Sequence, residues 1–306
     1  MIRSLCIWRD RRGDVSVLRI VTLLVLITPV IIALIDAQAI ARGARPINDL
    51  IHRTGYWALI FLLASLAVTP MRRIARFGGL IDVRRTIGVA AFCYAGAHIA
   101  LYVADQMYDL AKVASEIVRR VYLTVGFTAL LGLLALAATS TDGMVKRLGA
   151  QGWQRLHQVV YVIAILALVH YFQQTKADVS VPTLTAGLFG WLIGYRVLVK
   201  FKRTRGEPSP WSLLALSLAV AVLTFLCEAI GIGVVLNVSP LRVLETAFDF
   251  DPATIRPGWF VLAAGLCVVA LDVVRAWQRR AQPRTGGPSS ALVLKPAPSR
   301  VTGAER

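Results

Sequence analysis

Acidic residues are scarce in this chain: 17 Asp and Glu stand against 34 Lys and Arg in 306 residues, a formal charge of +17. Histidine is scarcer still, at four. The four cysteines (Cys6, Cys93, Cys227 and Cys267) are scattered, so neither a disulfide framework nor a zinc site finds the spacing it needs. No CxxCH occurs, which excludes covalent c-type haem attachment. Gly231 and Gly233 in AIGIGVVLN lie inside an apolar run with no third glycine and no acidic residue to follow, so they read as packing positions rather than a phosphate loop. The N-terminal apolar run lacks a small-residue cleavage site and is expected to stay as an anchor. No flavin or nicotinamide domain is expected after the last apolar run. Any electrons this chain carries are therefore expected from a membrane-soluble carrier or a separate protein.

What the chain does have is apolar length. Hydrophobic residues make up 57% of it, and several runs reach the roughly 20 residues that a bilayer crossing requires. The fold class expected is an all-α integral membrane protein. Eight spans are expected, at about 18–37, 54–70, 86–104, 121–139, 153–171, 184–201, 211–235 and 258–277. The link 105–120 is amphipathic and reads as an interfacial helix, while 140–152 reads as a basic loop and the stretch before residue 54 as a polar link. The positive charge clusters in loops, so it points to membrane lipid and topology, and no nucleic-acid partner is expected. Lys and Arg concentrate at the N-terminus and after spans two, four, six and eight. The positive-inside rule then puts both termini in the cytoplasm, with Arg119 and Arg120 as the main exceptions.

The fifth span, WQRLHQVVYVIAILALVHY, organises the rest because it carries two of the four histidines. An ionisable group inside a span is costly and is by default a functional-site hypothesis. A neutral imidazole in a dry bundle suits an axial position on haem iron, although one histidine alone equally suits an interhelical hydrogen bond. His98, in the middle of the third span, tips the balance. At 1.5 Å per residue, His98 and His170 each lie roughly 20–25 Å from the inner boundary, level with each other and on spans that run the same way. They are placed to clamp one b-type haem. His157 lies near the inner face with no histidine at its level. It is also about 140° round an ideal helix from His170, unless a π-bulge intervenes. It binds a second haem with a non-histidine ligand, or serves another group. Arg84 and Arg85 read as topology charges, or as partners of haem propionates or a flavin phosphate near His157. Glu228 and Asp272, in the last two spans, read as an interhelical hydrogen bond or proton relay and as a snorkelling pair with Arg275.

Four blocks in order, HRTGYWALIFLLASLAVTP, RRTIGVAAFCYAGAHIALY, RRVYLTVGFTALLGLLALAATST and RLGAQGWQRLHQVVYVIAILALVHY, resemble the MsrQ (YedZ) family. Its members are haem-binding membrane subunits of the periplasmic methionine sulfoxide reductase system, similar in turn to the ferric reductase and NADPH oxidase transmembrane domain. The resemblance covers about 45–200. It implies that His98, His157 and His170 are haem-associated and that His52 matches a further family position. It also implies haem b (one or two), with FMN as a further cofactor. Electrons would come from the quinone pool and pass to a periplasmic molybdenum-containing methionine sulfoxide reductase subunit, MsrP-like, at the bacterial inner membrane. Val121 departs from the family's proline, and the last two spans extend beyond its six-span core. The organisation expected is a cytoplasmic N-terminus and first span (1–44), a six-helix ferric reductase-like haem-binding bundle (45–205, with the first span), two extra spans (206–280) and a disordered tail (281–306). The rival readings are a ferric or metal reductase working at the outer face, and a proton-translocating or transport protein whose histidines bind no metal.

Overall fold

The structure, a computed structural model, describes residues 14–43, 45–175, 178–202, 208–250 and 255–281. Among these, eight helical segments are long and apolar enough to cross a membrane, and no β-strand is present. The first is α1 (Val17–Ile35), followed by short α2 (Ala37–Arg42) and long α3 (Pro46–Ile74). Next come α4 (Leu80–Asp105), α5 (Leu110–Arg119), α6 (Val121–Ala138), α7 (Asp142–His157) and α8 (Val160–Gln174). The chain closes with α9 (Ser180–Lys202), α10 (Pro210–Leu236), short α11 (Pro240–Glu245) and α12 (Pro257–Ala281). Spans alternate in direction, so the bundle has an upper end carrying α2, α5 and α11 and a lower end carrying α7. The proposed tail falls outside the described residues.

Three expectations change here. The polar link before residue 54 is largely helical, because Pro46 opens α3 at its first turn, where a missing N–H costs nothing. His52 therefore sits on a helix. The basic loop 140–152 is also helical, started by the Thr141 hydroxyl accepting from the Met144 N–H at 3.3 Å. Gly149 interrupts that helix at φ +72°, a conformation glycine tolerates. Finally, the fifth span is not one regular helix. At Gln158–Val159 it tightens into i→i+3 bonds, Val159 N–H to Leu156 and Tyr161 N–H to Gln158. That is overwinding, the opposite of a π-bulge. The link expected as an interfacial helix is helical, as α5, capped by Asp109, which accepts from the Lys112 N–H at 2.9 Å.

The most enclosed span is α3, with half of its apolar window buried. Leu59, Leu62, Leu63 and Leu66 meet Ala91 of α4, Leu133 of α6 and Ile163 and Ala164 of α8 in the core. Arg196 of α9 ties three helices together: its guanidinium donates to Tyr161 Oη (3.0 Å), Leu192 O (2.7 Å) and Leu66 O (2.6 Å). The last two spans pack on α9 through small residues. Trp191 Nε1–H donates to buried Ser217 Oγ at 3.0 Å, with Gly265 pressed against both. Lipid offers helices no hydrophobic reason to associate, so such close contacts carry the packing.

Candidate functional site

His98 projects from α4 and His170 from α8 into one cavity of about 270 Å³ at the upper half of the bundle. Their ring centroids are 6.2 Å apart and their planes are 82° to each other. Each Nδ1 lies 2.8 Å from a main-chain oxygen, His98 from Ile51 O on α3 and His170 from Tyr122 O on α6. A carbonyl only accepts, so both Nδ1 atoms carry the proton and both Nε2 atoms keep a lone pair. Among the described residues neither Nε2 has a hydrogen-bond partner. Metal–imidazole bonds of about 2.0–2.1 Å place the centres of two opposed axial rings roughly 6 Å apart. The spacing therefore fits a single metal held between His98 on α4 and His170 on α8.

The walls support this. Leu59, Leu62, Ala95, Leu130 and Leu133 make the cavity's flanks apolar, while Tyr102, Tyr122 and Gln174 line its mouth. Over that mouth lies α5, held by Tyr102 Oη donating to Glu116. Arg120 completes the roof, donating to Glu116 and to Tyr122 Oη at 3.1 Å each. His52 is exposed beside the mouth and also borders a second, polar hollow of about 540 Å³ containing Asp36, Asp49 and Arg53. Arg53 pairs there with Asp36 at 3.2 Å and Asp49 at 3.0 Å.

His157 is elsewhere. It closes α7 at the lower end, stacked on Trp153 with centroids 3.8 Å apart. Its nitrogens already face Trp153 O (3.0 Å) and Ser140 Oγ (3.3 Å). Arg84 is half-buried on α4 within electrostatic reach of His157, Tyr161 and Arg196, and has no carboxylate partner among the described residues. Arg85 is exposed and paired with Asp142.

Two kinds of residue escaped the sequence reading. The carbonyls of Ile51 and Tyr122 carry no side-chain signal, since any residue supplies one. Arg196 did leave a signal, a guanidinium well inside an apolar run. The extra spans contribute no residue to the cavity lining.

Residues 54–168, which include all of α4 and α6 and parts of α3 and α8, match the family model "Ferric reductase like transmembrane component". A Rhodospirillum rubrum protein named protein-methionine-sulfoxide reductase heme-binding subunit MsrQ is 43% identical over 169 residues, 55% of this chain and 81% of the relative. A protein of the same name from Xanthomonas euvesicatoria pv. vesicatoria is 42% identical over 166 residues, 54% of this chain and 76% of the relative. No solved structure matches the chain. With eight membrane-length helices, identity above 40% and most of each relative's length covered, this multi-pass membrane protein belongs to the MsrQ family.

Proposed function

We propose that the chain is a membrane electron-transfer subunit that holds haem b between His98 and His170. It would carry electrons from the quinone pool to a soluble periplasmic methionine sulfoxide reductase of the molybdenum-containing, MsrP-like kind. One observation carries the reading: two imidazoles on different helices, both with Nε2 unprotonated, line one apolar-walled cavity with ring centroids 6.2 Å apart. The relatives' printed name, heme-binding subunit, agrees with it. His98 and His170 would hold the haem, which would supply a one-electron carrier there.

The protein's own residues do the rest. Ile51 O and Tyr122 O fix the imidazole tautomers, as second-shell partners of ligating histidines do. The apolar flanks and the α5 roof exclude water. At the lower end, His157, Arg84 and Arg85 are assigned to a second group, an FMN phosphate or a further haem's propionates. Arg84 is the better placed of the two arginines, because Arg85 already has Asp142. The positive-inside distribution puts the lower end and both termini in the cytoplasm of a bacterium and the upper end in the periplasm. The α4–α5 turn, the end of α8 and Arg53 then form the surface where the acceptor docks. The core of about 45–205 is assigned the whole of this activity.

The test is stopped-flow spectroscopy. Purified protein is reduced with a quinol analogue and mixed with the oxidised reductase and a methionine sulfoxide substrate. Rapid haem reoxidation that requires both additions is the expected result. Haem that stays reduced with that partner, yet reoxidises at once with a ferric chelate, assigns the chain to the metal reductases instead.

A further inference from the structure

The two histidines are held by the same device, built twice. On α3 the carbonyl that takes the His98 proton is Ile51, and one turn later comes Gly55. On α6 the carbonyl that takes the His170 proton is Tyr122, and one turn later comes Gly126. A Cβ at Gly55 would stand 3.0 Å from His98 Nδ1 and 3.1 Å from its Cε1. At Gly126 it would stand 2.7 Å from His170 Nδ1 and 2.8 Å from its Cε1. Each imidazole is thus pressed against bare backbone, with no room for a Cβ at Gly126 unless the ring shifts and only a tight fit at Gly55. Residues four apart lie one above the other on a helix, so carbonyl and glycine together form a cleft that grips one edge of the ring.

Glycine in membrane helices usually serves helix approach. Gly132, on the same α6–α8 seam, shows that ordinary use: its Cβ would meet Ile163 Cγ1 at 2.7 Å, an aliphatic side chain. What separates Gly55 and Gly126 is that their nearest neighbour is the imidazole itself.

We propose that Gly55 and Gly126 are positioning residues: with the carbonyls of Ile51 and Tyr122 they fix the rotation of the two imidazoles and so set the near-perpendicular ring planes presented to the metal. This rests on the haem reading above. The angle between axial imidazole planes governs the splitting of the iron d orbitals. Perpendicular planes give a low-spin ferric signal with one large g value, and parallel planes give an ordinary rhombic one. A ring released from its cleft turns about its bond to the metal, so the signal moves without any ligand being lost.

The experiment compares wild type, G126A, G55A and G132A, each as full chain in detergent, by haem content, ferric EPR and redox titration. The wild type is expected to show the large-g signal. G126A is expected to shift that signal toward a rhombic one or to lose haem, and G55A to do the same more weakly, following the looser contact. G132A, with an equal steric insult and no imidazole beside it, is expected to keep the wild-type signal and potential. A G126A protein with full haem and an unchanged signal overturns the proposal, as does a G132A protein that changes as much as G126A. A wild type without a bis-histidine spectrum refutes the haem reading instead, which keeps the two failures apart.

Discussion

A chain that stops after Arg205 loses α10, α11 and α12, yet retains every histidine and every residue lining the cavity, whose last member is Gln174. The cost can be worked from the α9 seam. A hydrogen bond crosses it, Trp191 Nε1–H to Ser217 Oγ at 3.0 Å. Such bonds average about 0.6 kcal/mol in membranes and reach about 1.7 kcal/mol. Removing two lipid-bathed helices forfeits no hydrophobic gain, because lipid covers α9 as well as they did. The guanidinium strap from Arg196 to Tyr161, Leu192 and Leu66 lies on the retained side and is untouched. The truncated chain is therefore expected to insert, bind haem at the wild-type ratio and keep its reduced spectrum. The assay is haem per protein by pyridine haemochrome, with the fragment quantified in washed membranes. A fragment present in the membrane without haem would refute the reasoning and make the last helices part of the cofactor site.

H98A and H170A are each expected to abolish the low-spin bis-histidine spectrum, whereas H157A loses only a lower-end group; two single variants with unchanged spectra would sink the pairing. For the extra spans, Arg256 lies 3.3 Å from Glu228, whose side chain is only 2% exposed. R256A leaves that carboxylate uncompensated, at a cost of about 3–5 kcal/mol. E228Q leaves a guanidinium that is 25% exposed and still bonded to Thr246, at a cost of about 1 kcal/mol. Thermal unfolding of the two variants measures this, and equal losses contradict it. Asp178 accepts from the Ser180 N–H at 2.9 Å, and its bonds to Ser180, with the charge of Arg256, hold it below the usual carboxylate range. A lowered folded value stabilises above the unfolded value of about 3.9 and is lost as pH falls through the folded one. D178N should therefore lower the melting temperature at neutral pH, with the deficit closing in acid; a deficit independent of pH counts against the bond.

Spans were legible in the sequence because twenty apolar residues in a row have few other uses, and His98 and His170 because both stand out against such runs. Their depth followed from a rise per residue that hardly varies. The azimuth between His157 and His170 depends as well on the tightened turn at Gln158–Val159, which the letters QVVY do not announce. The helical character of 142–152 was hidden by its charge, which says loop in a hydropathy plot but does not oppose a helix at a membrane surface. Gly55 and Gly126 were visible as letters, yet nothing local distinguishes them from Gly132. Only the neighbouring helix does.

The cavity also bears on how the molecule is made. The pairs α3/α4 and α6/α8 are each closely packed, whereas α4 and α8 scarcely touch directly. Emerging in chain order, the first pair is complete before the second has been synthesised. On the haem reading, the metal would sit between the pairs, held by one histidine from each. Haem would then add a tie between the pairs to the packing of α3 on α8 and of α4 on α6, and a chain made without it would lack that tie. The α5 segment that bridges the halves is where a protease would find such a chain first, so haem starvation should appear as cleavage between residues 105 and 121 before it appears as lost insertion.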